Sequence, residues 1–148
     1  MKREDLTEKL LDIKRENGWS WKHICEKIGG YSEVLIVGAI MGQMKLTKPQ
    51  AANAGELFGL SKSETAMLNE VPMRGQGTPM PPTDPLIYRF YELVSVYGTT
   101  FKSLIHEEFG DGIMSAIDFS MDLSREPHEK GDRVKIVMSG KFLPYKSY

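Results

Sequence analysis

The stretch TDPLIYRFYELVSVYGTTFKSLIHEEFGDGIMSAIDF, residues 83–119, decides how this chain is read. Asp84 can accept hydrogen bonds from the first amides of a helix, and Pro85 fits a first turn, where its missing N–H is no loss. Leu86, Phe90, Leu93, Tyr97 and Leu104 supply much of an apolar stripe. Gly98-Thr99-Thr100 either bends the helix or ends it. The segment therefore reads as one long helix or two abutting ones, the second from Phe101 to Phe109. Gly110-Asp111-Gly112 stops it with residues that tolerate positive φ. The period then changes to two. Ile113, Ser115, Ile117, Phe119, Met121 and Leu123 alternate with Met114, Ala116, Asp118, Ser120 and Asp122, which predicts a strand with one largely apolar face.

Two features of this stretch ask for a chemical account. Ser115 is the lone hydroxyl on the apolar face, and a hydroxyl taken out of water must find a partner. That partner is either backbone, the ordinary case, or a ligand. Arg89 and Glu92 lie three apart and share a helix face, with Tyr88, Phe90, Tyr91 and Tyr97 around them. An ion pair at this spacing is commonplace and weak. A guanidinium shielded by rings, however, binds small anions through a rigid fork of donors, and a carboxylate nearby can hold that fork in place.

Outward from there, Gly75–Pro82 (GQGTPMPP) reads as a linker, dividing the chain into residues 1–76 and 77–148. The first part predicts five short helices. One covers residues 4–16 and stops at Asn17-Gly18, and a second is capped by Ser20. A third is capped by Ser32 and runs to about Met41. A fourth starts at Pro49, and a fifth is capped by Ser61 or Ser63. The second and third are spaced like a helix-turn-helix. The would-be recognition helix, SEVLIVGAIM, has no Arg, Lys, Asn or Gln and carries Glu33, so it offers nothing to read bases or to grip phosphates. Its apolar surface points to burial instead. Cys25 lies on an apolar helix face and reads as a core residue.

Beyond Leu123, residues 124–132 are polar and turn-like. Val134, Ile136 and Met138 then alternate as a second strand, which suits an antiparallel hairpin. The tail Gly140–Tyr145 is apolar and aromatic and needs something to pack on. One helix and two strands cannot enclose a good core, but pairing with a second copy can. The fold class is thus α+β: an N-terminal five-helix bundle, then a long helix and a hairpin.

Composition narrows the chemistry. The chain has 148 residues and a formal net charge of −1, with no basic excess for nucleic acid. The N-terminus is amphipathic and carries both signs of charge, unlike a signal peptide. The longest apolar run, Val34–Met41, is too short for a membrane span. A single cysteine permits no internal disulfide and fits a reducing cytoplasm. His23, His106 and His128 are far apart with no HExxH, so no metal site is expected. No phosphate loop and no GxSxG elbow occurs. Ser115 therefore reads as a donor rather than a nucleophile.

At DPLIYRFYELVSVYGTTFKSLIHEEFGDGIMSAIDF the sequence closely resembles the cyanase (cyanate hydratase, cyanate lyase) family. GKFLPY is similar to that family's closing segment, and VPMRG at 71–75 to its domain junction. The resemblance implies a catalytic set of Arg89, Glu92 and Ser115, in YRFYE and GDGIMSAI. Some members have a cysteine where this chain has Gln76, outside that set, and the loops 75–82 and 124–132 differ from better-known members. The resemblance further implies a lyase that decomposes cyanate with bicarbonate as co-substrate. Cyanate, bicarbonate and two protons give ammonia and two molecules of carbon dioxide by way of carbamate. No metal and no organic cofactor is implied. It implies a homodecamer of five dimers with intertwined C-terminal halves, shared active sites, and a repressor-like helical domain that does not bind DNA. The alternative from the residues alone is a DNA-binding regulator with a small-ligand-sensing dimerisation domain. No nucleic-acid or membrane partner is expected, and a cytoplasmic location is.

Overall fold

The computed structural model describes residues 1–30 and 32–147. Its elements are α1 (Arg3–Asn17), α2 (Trp21–Ile28), α3 (Glu33–Ile40), α4 (Lys48–Phe58), α5 (Lys62–Met67), α6 (Pro85–Phe109), β1 (Gly112–Glu126) and β2 (Arg133–Pro144). Contacts divide the chain into two compact units: Met1–Gly75 with Met121–Val137, and residues 76–120 with 138 onward. The distal part of the β1–β2 hairpin thus clusters with the helices.

The helical unit closes a core of its own. Leu6 and Leu10 of α1, Ile24 and Ile28 of α2, Ile36 and Ile40 of α3, Leu46 and Leu68 are all fully buried. Each such side chain contributes about 1.5–3 kcal/mol by leaving water. Cys25 sits in this core, as its helix face predicts. The helices begin where side chains can satisfy their first amides. Ser20 Oγ accepts from His23 N at 3.0 Å. Ser61, not Ser63, caps α5: its Oγ accepts from Glu64 N at 3.1 Å, while Glu64 Oε2 accepts from Ser61 N at 2.8 Å. Thr47 and Gln50 form the same reciprocal pair at α4. Ser32 stands at the N-cap of α3 as expected, but its hydroxyl makes no cap bond. It donates instead to Met121 O of β1 at 2.8 Å.

Glu64 is the most committed carboxylate of this unit. It is only 8% exposed, and its Oε1 receives Lys9 Nζ at 2.7 Å. That hydrogen bond, with the one from the Ser61 backbone, holds its carboxyl below the usual carboxylate range.

The second unit is built on α6. Asp84 Oδ1 accepts from Leu86 N at 2.9 Å and Ile87 N at 3.0 Å, and Pro85 occupies the first turn. Of the two readings of this stretch, the single helix forms: α6 runs 25 residues straight through Gly98. A glycine costs a helix interior only about 1 kcal/mol, too little to break one this long. The helix ends at Gly110 with φ 91°, a value that favours glycine. Gly112 then lies so close to Leu143 O and the Phe142 ring that a Cβ would not fit. Phe109 and Phe142 stack at 5.2 Å, and Tyr145 N donates to Asp111 O at 3.1 Å. The aromatic tail therefore packs on the α6–β1 corner. Most of it is not a tail, because β2 continues to Pro144 and pairs with β1 in a two-stranded antiparallel sheet.

This unit buries very little. No residue of α6 is buried. Leu86, Phe90, Leu93, Tyr97, Phe101 and Leu104 are all exposed, and Ile117 of the predicted apolar strand face is 97% exposed. The alternation read from β1 is real in sequence, yet only Ser115, Phe119 and Met121 of that face are covered to any degree.

Candidate active site

Arg89 and Glu92 lie in the first turns of α6, held there by the Asp84 cap and the proline start. Both are exposed. The ion pair that their spacing allows is not made. The ion pairs among the described residues are Lys9–Glu64, Arg15–Asp12 and Arg125–Asp132. An exposed pair three apart is worth only about 0.2–0.5 kcal/mol, less than the entropy of holding two long side chains together. The guanidinium lies over the Tyr88 ring instead, with Cζ 5.8 Å from its centroid. Tyr88 in turn packs on Tyr91, with ring centroids 6.0 Å apart.

Ser115 is 4% exposed on the first turn-side residues of β1. Its Oγ accepts from Ile117 N at 3.0 Å and Asp118 N at 2.9 Å. The ordinary reading of this serine, a hydroxyl bonded to backbone, is therefore correct as far as its lone pairs go. A hydroxyl has two acceptor positions and one proton. Both acceptor positions are filled, which leaves the O–H free to donate and makes the oxygen a poor nucleophile. Gly140 of β2 supports the arrangement. It packs against Ser115 O, Met114 and Phe119 where a Cβ would collide. Glycine inside a strand pattern is a signal for such close approach, and the sequence reading passed over it.

Within one chain these groups stand apart. At 1.5 Å rise per residue, α6 carries Arg89 about 31 Å from its C-cap. The run from Gly110 to Ser115 can return at most about 17 Å of that even if fully extended. At least about 14 Å remains between the two Cα positions, more than an arginine and a serine side chain can bridge with a hydrogen bond. One chain therefore presents an unpaired arginine and glutamate at one end of a helix and a serine donor near the other.

Among the described residues no group of His, Cys, Asp or Glu could hold a metal ion, and no helix is long and apolar enough to cross a membrane. What the geometry does define is a class by fold: a helical unit followed by a long helix and a hairpin, with Arg89 outside every ion pair among the described residues.

Comparison with known proteins gives the class its family. The model for the cyanate lyase C-terminal domain matches residues 79–147, and that for the cyanate hydratase N-terminal region matches residues 3–72. The chain is 61% identical to a cyanate hydratase of Methylibium petroleiphilum and 57% to one of Polynucleobacter asymbioticus, covering the whole of each over 148 residues. Its structure matches the crystal structure of cyanase from T. urticae with TM-score 0.80 at 34% identity, over 94% of this chain and 96% of that one. The chain belongs to the cyanate lyase (cyanate hydratase) family.

Proposed function

We propose that this chain is a lyase that decomposes cyanate with bicarbonate, and that Arg89, Glu92 and Ser115 carry the reaction. The observation that carries the reading is the full-length match to cyanate hydratases, joined to an arginine whose charge no carboxylate cancels. A bicarbonate oxygen attacks the cyanate carbon. The mixed adduct takes up a proton and breaks its carbon–oxygen bond to release carbon dioxide, leaving carbamate. Carbamate takes a second proton and splits into ammonia and the second carbon dioxide. Bicarbonate is a co-substrate, and no metal or organic cofactor takes part.

Two anions must be held together, so the site has to concentrate positive charge. One arginine per chain is thin provision, and it stands far from its own chain's Ser115. We infer that several copies meet so that Arg89 of one chain faces Ser115 of another. The uncovered apolar length of α6 supports this. The assembly proposed is a homodecamer of five dimers with intertwined C-terminal regions. Glu92, unpaired in the single chain, either orients an arginine across the interface or relays the proton that leaves bicarbonate. Ser115 donates a hydrogen bond from its hydroxyl to a carboxylate-like oxygen.

In this scheme residues 1–76 form a repressor-like helical domain without a DNA-binding role, residues 77–148 form the catalytic and dimerising domain, and the enzyme works in the cytoplasm. Nothing observed favours a DNA-binding regulator: α3 is apolar and bears Glu33 in its first turn. The deciding experiment is ammonia release from cyanate with and without bicarbonate. Release that depends on bicarbonate is expected. No ammonia, or an equal rate after bicarbonate is stripped out, would overturn the reading.

A further inference from the structure

An arginine that must bind anions faces a conflict. Left free, it wanders over many rotamers, and ordering it on binding costs affinity. Held by a bidentate carboxylate, it gives two of its five donors to that partner and part of its charge is offset. An aromatic face avoids both costs. It attracts the cation through the negative face of the ring and takes none of the five N–H donors.

That is the arrangement on α6. Arg89 Cζ lies 5.8 Å from the centroid of the Tyr88 ring. The ring is itself braced by Tyr91, at 6.0 Å and 38°. None of the ion pairs among the described residues involves Arg89. We propose that Tyr88 is a positioning residue for Arg89, restraining its guanidinium by a cation–π contact that itself takes none of the donors the anionic reactants need. The inference rests on the assignment of Arg89 to anion binding and deepens it. The Tyr88 hydroxyl has no part in it.

The test uses the full-length assembled protein. Position 88 is changed to phenylalanine and then to progressively fluorinated phenylalanines, which weaken the negative ring face while nearly keeping its shape. KM for both reactants, kcat, and the affinity for azide, a linear triatomic monoanion like cyanate, are measured at each step. Tyr88→Phe is expected to hold KM within about twofold, because the ring face remains. Fluorination is expected to raise KM and weaken azide binding stepwise, by up to about tenfold, with kcat changed less. Oligomer size and thermal midpoint stay constant through the series. Tyr88→Leu should match the most fluorinated ring, and Trp21→Leu, which removes the cation–π contact with Lys14 in the helical unit, should leave KM alone. A flat response across the fluorine series overturns the proposal, as does a loss confined to thermal midpoint or oligomer size. If the unaltered protein releases no ammonia, the functional reading fails, while calorimetric titration with azide still decides the role of Tyr88.

Discussion

The helical unit and α6 handle apolar side chains in opposite ways. In the first, Leu6, Leu10, Ile24 and Ile40 are sealed from water by their own chain. In the second, a 25-residue helix of comparable apolar content buries nothing. The first region closes its core within one chain. The second has well-made local structure, with a cap, a proline start and a glycine stop, but no core of its own. A surface so apolar is costly to leave in water and marks a site of association. In the assembly proposed above, the core of the second region lies between copies, and so does the reaction.

Predictions can break this contrast. The largest effect is expected from Arg89→Ala, which should lower kcat/KM by about a thousandfold or more, since in the proposed site it removes the main positive charge facing two anions. Near-normal ammonia release from an intact oligomer would refute the site. The contrast itself is sharpened by mixing. Chains bearing Arg89→Ala and chains bearing Ser115→Ala, refolded together, should show more activity than the two preparations sum to, because some mixed sites draw both intact residues from different chains. Recovery no better than the sum of the two would place each site within one chain. Ser115→Ala alone should cost about 10- to 100-fold in kcat/KM, the worth of one hydrogen bond to a charged group.

On the other side of the contrast, Leu10→Ala should destabilise the helical unit by about 2–5 kcal/mol through the cavity it leaves. Activity per folded oligomer should not change, as chemical denaturation and the ammonia assay can show together. The smallest effect concerns Glu64. Its folded carboxyl titrates below the ordinary value, so the stability it contributes is present above the ordinary carboxylate range and is lost as pH falls through the lowered value. Thermal melts of Glu64→Gln should therefore lie below the unaltered protein at neutral pH and converge with it in acid. A gap that widens in acid would refute the Lys9–Glu64 account.

Much of this was legible in the sequence because it is local. Asp84-Pro85 announces a helix start, Gly110-Asp111-Gly112 a stop, and the switch from helical to alternating period at Ile113 a strand. Each depends on residues within one or two turns. The contacts that were not legible join distant positions. Lys9 meets Glu64, and Ser32 gives its hydroxyl to Met121 rather than to its own helix. Gly112 is pressed on Leu143, and β2 runs on through an apparent tail. The proposed site divides in the same way. Arg89, Glu92 and Ser115 were singled out by residue type and setting, but the missing Arg89–Glu92 pair and the filled lone pairs of Ser115 had to be seen.

The sequence by itself determined where most helices and strands begin, which side chains carried unusual chemistry, and which family's pattern they follow. Those properties are written in spacing, capping and residue type, all short-range. Only the tertiary structure decided that α6 is one unbroken rod, that its apolar stripe finds no cover in its own chain, and that Arg89 and Ser115 stand too far apart to meet there. Periodicity tells which residues share a face. It cannot tell whether anything lies against that face, because burial depends on where the rest of the chain ends up.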